Sequence, residues 1–490
     1  MGVGMPLGMS GGHTLPTAFR SATEVMHSPT LAETAFIRID ALAIEDALAV
    51  SASPGSLLLE MRDESEVVFG GRTAMHARTK VLAAGPPGLV DRHPLANRAR
   101  RINRPDQVLL PGLVNAHAHL DLTHIGPQPH DRDRGFIGFV DLVRSRRAQD
   151  DEAIAASVRL GIEQSLLGGV VAVGDIAGAA GGVPRIAAYE ALTDSPLWGV
   201  SFLEFFGIGT GEESGADRLV DAVQEGAALA RGRYAERRVK LGLQPHAPYS
   251  VSRRNYMRAI ELAQRHSLPL ATHLSETPEE IEFIRSGAGP QRELLERLGV
   301  WSESILDDAG RGKTPVAHLS PVLRYGDFLA AHVNYASNED ITSLAESRTA
   351  VVYCPRSAVY FDAAASFGPH RFIDMLLCGT RVALGTDSII NLPRGEWVGG
   401  TESGISILDE MRLLYRRDAV TAITVLGMAT MDGAAALGLD PLSFTFKRGA
   451  TIAGVVGVSV TEFNPKSELD LALDRIMLGG GRPELLLIGK

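Results

Sequence analysis

The chain has 490 residues and a formal net charge of −10. That length suits two or more domains at about 150 residues each, and the acidic balance lacks the basic footprint that nucleic acid or an anionic membrane selects. With 45% hydrophobic and 22% charged residues the composition is that of a globular protein, which excludes a disordered chain.

Residues 1–34 hold Gly, Pro and Thr with little periodicity and no cationic-then-apolar leader pattern, so a disordered extension is expected there. From 35 to 107 short β-type runs at 35–39, 56–61, 67–69 and 80–83 are punctuated by Ser53-Pro54-Gly55, Gly70-Gly71 and Gly85-Pro86-Pro87. The chain turns strand-like again from about 438, most clearly at 449–460. Two strand-rich flanks, 35–107 and 438–490, predict one small β domain built from both chain ends. Between them, over 108–437, apolar runs recur at 108–114, 170–174, 197–205, 239–243, 268–272, 328–331, 350–353 and 382–385. Helical patterns such as 153–167, 218–231, 254–265 and 340–347 lie between the runs. Continuous apolar strands alternating with helices imply a buried parallel sheet, and eight units over this length suit a (β/α)₈ barrel. An open doubly wound sheet is disfavoured, because no G-x-G-x-x-G stands at a strand-to-helix turn. The longest uncharged apolar run, 451–460, falls far short of the roughly 18 residues of a spanning helix. Two cysteines, Cys354 and Cys378, allow one bridge at most, so a reducing, cytoplasmic setting is expected.

Barrel enzymes carry their catalytic side chains where the strands end. The first run passes into Asn115-Ala116-His117-Ala118-His119 and the second closes at Asp175. The fourth leads into Gln244-Pro245-His246, the fifth to His273, the sixth to His332, the seventh to Cys354 and the eighth to Asp387. His117 and His119, two apart on a strand, face the same way. One His-x-His triplet alone means little, since 14 histidines in 490 positions yield about 0.4 by chance; its weight comes from histidines at other run ends. Imidazole nitrogens and a carboxylate are natural donors to a divalent ion such as Zn²⁺. Three His and one Asp leave room for a water whose pKa falls to about 7, so that hydroxide is present at neutral pH. Asp387 can accept that water's proton. Glu276, three residues past His273, can carry a proton to a ring nitrogen or leaving group, and His332 can hold the water or a developing oxyanion.

Pro111-Gly112-Leu113-Val114-Asn115-Ala116-His117-Ala118-His119-Leu120 resembles the opening signature of the amidohydrolase superfamily. His246-Ala247-Pro248-Tyr249-Ser250, Thr272-His273-Leu274-Ser275-Glu276, Ala331-His332 and Leu384-Gly385-Thr386-Asp387-Ser388 follow in the family's order. The resemblance covers roughly residues 35–460. It points to the branch of cytosine deaminase, the triazine chlorohydrolases, and the S-adenosylhomocysteine and aminodeoxyfutalosine deaminases. It implies a deformed barrel flanked by a β-sandwich made from both termini. It implies that His117, His119, His273 and Asp387 bind one metal, that Glu276 and His332 are the proton-transfer pair, and that His246 contacts substrate. Binuclear relatives use a carboxylated Lys at the end of strand 4; His246 stands there and Lys240 lies within the strand, so a single ion is expected, Zn²⁺ by ligand type, with Fe²⁺, Ni²⁺ or Co²⁺ fitting similar donors. Two positions depart from the branch: Asp121 where Glu is frequent, and Ala358 after Cys354-Pro355-Arg356-Ser357 where Asn is common.

Plainer readings compete. Glu276 precedes a helix start, Thr277-Pro278-Glu279-Glu280, where a carboxylate is stabilised by the dipole. Glu279, Glu280 and Glu282 read as a solvated helix face. Asp175 reads as a helix cap, Cys354 as a buried small residue, and His246 as a turn histidine before Pro248. Asp121, His124 and His130 lie in the loop after strand 1, within reach of a substrate. His13, His27, His76, His93, His266, His318 and His370 read as structural or solvated. The expectation is a cytoplasmic metal-dependent aminohydrolase acting on a small molecule, in which hydroxide attacks the amidine carbon of a nitrogen heterocycle, an adenine-type base or nucleoside derivative by resemblance. Neither nucleic acid nor membrane is expected as partner, and a homo-oligomer is compatible. The alternatives are hydrolysis of another C–N or C–Cl bond, as in a triazine, amidine or cyclic amide, and a non-catalytic barrel used as a binding scaffold.

Overall fold

The computed structural model describes residues 34–235, 237–392, 405–460 and 471–490. Residues 1–33, on which the expected extension and both His13 and His27 fall, lie outside the described residues.

The apolar runs of the middle region become eight strands: Leu113–Ala118 (β1), Val170–Ala177 (β2), Trp198–Phe205 (β3), Val239–Pro245 (β4), Leu270–Leu274 (β5), Phe328–His332 (β6), Ala350–Tyr353 (β7) and Val382–Leu384 (β8). They lie side by side in chain order, and each neighbouring pair is parallel. Ring closure happens at the mouth. Ala118 bridges Asp387 in parallel, and the N–H groups of Thr386 and Asp387 both donate to the His117 carbonyl, at 3.1 and 3.0 Å. The Asn115 amide reinforces this seam, giving a hydrogen bond to Thr386 Oγ1 (2.8 Å) and accepting one from Thr386 N (3.1 Å). Because β1 and β8 are zipped together here, their terminal side chains converge. The strands are buried along their length except at Lys240, whose ammonium faces outward and donates to Gly438 O at 2.7 Å. Helices cover the outside. Several start on side-chain caps: Asp150 accepts from Ala153 N, Ser252 from Asn255 N and Thr314 from Ala317 N, each cap supplying a partner for an orphan helical donor.

The second unit is a sheet of strands from both chain ends. Ala35–Glu45, Gly55–Phe69, Arg72–Gly85, Pro483–Gly489, Gly454–Ser459 and Arg100–Pro111 pair in that order, and Arg100–Pro111 pairs back onto Ala35–Glu45, so the sheet curls on itself. Ile37, Leu57, Val81, Leu109, Val455 and Leu487 pack inside it. The run at 108–114 is divided by Gly112: Val108 to Pro111 pair with Gly454–Ser459, and the barrel strand begins at Leu113. A Cβ on Gly112 would stand 2.3 Å from Val171 Cγ2, so the chain passes between the two sheets where no side chain fits. The runs at 56–61 and 67–69 are one strand with a register shift between Arg62 and Ser65. That strand turns back at Gly70-Gly71, both at positive φ, as a tight hairpin requires. Among the described residues no helix is long and apolar enough to cross a membrane.

Candidate active site

His117 and His119 leave β1 with both rings directed at the barrel mouth, their centroids 5.2 Å apart. His273 from β5 lies 5.0 Å from His117 and stacks on His119 at 5.3 Å, the His119 and His273 Nε2 atoms being 3.3 Å apart. Asp387, just past β8, places Oδ1 3.7 Å from His117 Nε2 and 3.5 Å from His119 Nε2. Its other oxygen is clamped: Oδ2 accepts from Ser357 Oγ at 2.7 Å and from Asn391 Nδ2 at 2.6 Å. Donor atoms of His117, His119 and His273 lie within 4.8 Å of one another, as do those of His117, His332 and Asp387. Each of these two groups has the spacing to hold an ion, and His117 belongs to both.

Two further observations fit a cation there. His117 Nδ1 and Nε2, His119 Nδ1 and His332 Nε2 are buried without a hydrogen-bond partner among the described residues, a costly state for nitrogen lone pairs unless something binds them. Burial holds His119 and His273 well below the usual histidine pKa, so both rings are neutral and can donate lone pairs. His273 Nδ1 is 3.1 Å from the His246 carbonyl. A proton on Nδ1 donated there leaves Nε2 free for a metal, the usual way an outer hydrogen bond selects the tautomer. On Asp387 burial acts to raise the pKa, but the neighbouring His117, His332 and His119 outweigh it and hold the carboxyl below its ordinary range.

Glu276 follows β5 and sets its Oε1 3.5 Å from His332 Nε2. Its carboxyl is buried, and burial, then the charges of Asp387, Glu280 and Glu279, push its pKa well above the usual value, the direction that suits a proton donor. The local fold explains why this carboxyl is free. Glu280, in the helix Pro278–Ser286, accepts from Ser275 N and Glu276 N, both at 2.8 Å. Glu280 thus does the anchoring that the sequence offered as a competing role for Glu276. Glu280 is fully buried and Glu279 accepts from Phe136 N, so of the three acidic residues read as a solvated face only Glu282 is exposed. His332 sits at φ +73° and Asp387 at +58°, strained backbone of the kind that clusters at functional sites.

His246 lies beside the cluster, its ring 4.9 Å from that of His273 and 4.7 Å from Phe206. Nδ1 meets Ser250 Oγ at 2.7 Å and Nε2 points toward Glu204 Oε1 at 3.9 Å. Burial drops its pKa to about 3, so it meets a ligand as a neutral ring. A cavity of about 700 Å³ joins these groups, lined among others by His119, Glu204, His246, His273, Glu276, His332 and Asp387.

Several residues differ from the sequence reading or were missed by it. Asp175 does not cap the helix that follows its strand; it accepts from Leu120 N at 3.1 Å, fastening the start of the short helical turn Leu120–Ile125 after the ligand pair, and burial pushes its pKa to about 8. Asp121, His124 and His130 are not in the cavity wall. Asp121 pairs with Arg147 at 3.0 Å, His124 bridges Ser157 and the Arg146 carbonyl, and His130 packs on Tyr360 and Phe361. Arg147 and Glu204, 3.5 Å apart, both line the cavity. Glu204 was legible as the one acid inside the apolar run 197–205; Arg147 lies in no run and carried no signal. His370, read as structural or solvated, has its Nε2 2.9 Å from the His332 carbonyl. Position 358 holds Ala, and an amide still reaches Ser357 Oγ, from Asn391 at 3.1 Å.

An eight-stranded barrel with a His/Asp cluster at the mouth defines a metal-dependent hydrolase class. Residues 108–443, more than two thirds of the chain, match the amidohydrolase family. The chain is 27% identical over 396 residues to a 5-methylthioadenosine/S-adenosylhomocysteine deaminase of Pelotomaculum thermopropionicum, covering 79% of each protein. It is 30% identical over 320 residues to an aminodeoxyfutalosine deaminase of Deinococcus radiodurans, covering 63% of this chain and 70% of that one. Its fold is similar to that of Helicobacter pylori aminofutalosine deaminase, with a TM-score of 0.68 at 20% identity over 93% of this chain and 99% of that one. The chain belongs to the amidohydrolase family, and it is a hydrolase acting on carbon–nitrogen bonds.

Proposed function

We propose that the protein is an aminohydrolase that removes an exocyclic amino group from an adenine-type base or nucleoside derivative, using one divalent ion per subunit, most simply Zn²⁺, in a reducing cytoplasm. The observation that supports this reading is the grouping of His117 with His119 and His273, and with His332 and Asp387, beside the buried Glu276 carboxyl, which lies 3.5 Å from His332 in the same cavity. The deaminase names of the two relatives support the substrate class.

His117, His119, His273 and Asp387 would hold the ion, which when bound supplies Lewis-acid activation of the attacking water. Asp387 Oδ1 accepts the proton that water loses on attack, while Oδ2 stays fixed by Ser357 and Asn391. Glu276 gives its proton to the ring nitrogen beside the carbon under attack, which neutralises the charge the addition creates. His332 lies against Glu276 and orients the oxygen at the tetrahedral carbon. On collapse the carbon–amine bond breaks and the amine leaves as ammonia with the proton that Asp387 took, while the hydroxyl proton on the carbon passes back to Glu276 as the carbonyl forms. His246, neutral and facing the cavity, offers Nε2 to the part of the substrate next to the base.

Metal analysis of the purified protein, combined with an ammonia-release screen over aminopurines, aminopyrimidines and adenosyl compounds, tests this. One equivalent of metal and release from adenine-type compounds are expected. Glu276→Gln should keep its metal and lose about 10²- to 10⁴-fold in kcat, the range of a general acid. Turnover confined to chlorotriazines or cyclic amides would overturn the substrate assignment, and a metal-free Glu276→Gln would make that residue structural.

A further inference from the structure

Glu276 and His332 stand on a corner of unusual backbone. Ser275, just past β5, and His332 and Val333, at the end of β6, all lie in the left-handed region, with φ of +55°, +73° and +49°. Residues that carry a Cβ keep this conformation only where their surroundings hold it. The two sides of the corner are stitched together. Asn334 N donates to Ser275 O at 2.9 Å, Ser275 Oγ to Tyr335 O at 2.6 Å, and Asn334 Nδ2 to Glu276 O at 3.0 Å. The His332 carbonyl is met from outside the corner. His370, between the helices Ala363–Phe367 and Phe372–Leu377, brings its Nε2 to 2.9 Å from that oxygen. A carbonyl only accepts, so Nε2 carries the His370 proton.

His370 is itself firmly placed. Its ring stacks on Tyr353, the last residue of β7, with centroids 3.7 Å apart and planes 16° from parallel. The Tyr353 hydroxyl accepts from Arg417 at 2.8 Å, and Asp418 holds Arg417 through two hydrogen bonds. The next residue, Arg371, donates from Nη1 to Ala336 O at 3.2 Å, so two successive residues grip the chain that leaves β6. His370 is not in the cavity wall; it reaches the chemistry through the backbone of His332.

We infer that His370 is a positioning residue: its hydrogen bond holds the left-handed peptide at His332 and so sets the His332 ring against the Glu276 carboxyl, 3.5 Å away. This rests on the aminohydrolase reading above, in which Glu276 moves the proton and His332 orients the oxygen. The carbonyl and the Cβ of His332 share one Cα, so a peptide that swings away from His370 carries the ring with it. A misplacement of about 1 Å at a reacting group costs about 10²-fold in rate. Because His370 does not touch the cavity, that loss falls on kcat and leaves KM unchanged.

The competing use of His370 is packing alone, a ring filling space against Tyr353, and two variants separate the uses. His370→Phe keeps an aromatic ring for Tyr353 and deletes the donor, whereas His370→Gln gives up the ring and keeps an N–H at similar reach. Rates are measured on the metal-loaded full chain with adenosine and 5′-deoxyadenosine, and kcat is expressed per bound metal. His370→Phe should lose about 100-fold in kcat with KM within about twofold of wild type, and His370→Gln should recover most of that loss. Equal kcat for His370→Phe and wild type, or a loss in His370→Gln as large as in His370→Phe, overturns the positioning role. A crystal structure of metal-loaded His370→Phe adds a readout that needs no substrate: His332 should leave the left-handed region and its Nε2 should withdraw from Glu276 by about 1 Å. An unmoved His332 there overturns the inference, whatever the rates. No ammonia release from either nucleoside by the wild type, together with a displaced His332 in His370→Phe, overturns the deaminase reading and retains the hold of His370 on His332.

Discussion

The clamp on Asp387 offers the sharpest quantitative test. Its Oδ2 accepts two short hydrogen bonds, from Ser357 Oγ at 2.7 Å and Asn391 Nδ2 at 2.6 Å, and this fixes the carboxylate plane so that Oδ1 faces His117 and His119 at 3.7 and 3.5 Å. A hydrogen bond to a charged group contributes about 1.5–3 kcal/mol. At about 1.4 kcal/mol per decade, losing one corresponds to roughly 10- to 150-fold. Ser357→Ala and Asn391→Ala should each weaken metal binding or turnover by that factor, in line with the roughly 10- to 100-fold cost of removing outer partners of metal ligands. The two donors also touch each other at 3.1 Å, so their effects should couple, and the double variant should lose less than the product of the single losses. Chelator competition gives the metal dissociation constant, and kcat at saturating metal separates positioning from occupancy. Unaltered metal affinity together with unaltered kcat in both single variants would show that Asp387 is held by its backbone alone, and the clamp would have no functional role.

Two predictions concern stability. Arg356 is fully buried, with Nε 2.5 Å from Glu410 Oε1 and its own N–H donating to Glu410 Oε2 at 2.9 Å. Arg356→Met leaves the Glu410 charge buried without its cation and should cost about 3–5 kcal/mol, read as a lower urea midpoint; a midpoint equal to wild type would mean the pair is replaceable by packing alone. Glu45, in the β domain, has its pKa raised to about 7 by burial, with the Ser51 hydrogen bond opposing and the Asp46 charge adding. The folded state therefore keeps its proton to higher pH than the unfolded chain, so this stabilisation is complete below about 4.5 and is lost as pH rises through about 7. Glu45→Gln should flatten the decline in urea midpoint between pH 5 and pH 8. The same slope in both proteins would remove Glu45 as its source.

Periodicity and motif carried a large share of this protein. The alternation of apolar runs and helical patterns is a local property, because a buried parallel strand must be apolar on both faces, and so the barrel strands were readable one by one, except that the first run, 108–114, belongs up to Pro111 to the other sheet. The same holds for His117-Ala118-His119, where spacing of two on a strand decides that both rings face one side. What the chain could not show by local pattern is contact between distant segments. The passage of residues 108–114 from one sheet into the other depends on Val171 filling the space beside Gly112, a neighbour with no signature near Gly112 itself. In sequence Glu276 read as a proton carrier or as a carboxylate at a helix start, and Glu280 as part of a solvated helix face. Only the fold shows Glu280 spending its carboxylate on two backbone amides and leaving that of Glu276 for the cavity. Ser357 and Asn391 belong to the Asp387 clamp because loops after different strands meet at one end of the barrel. Chemistry of residue type is written along the chain; which side chains share a desolvated space is settled by packing, and the electrostatics of the site follow from that space.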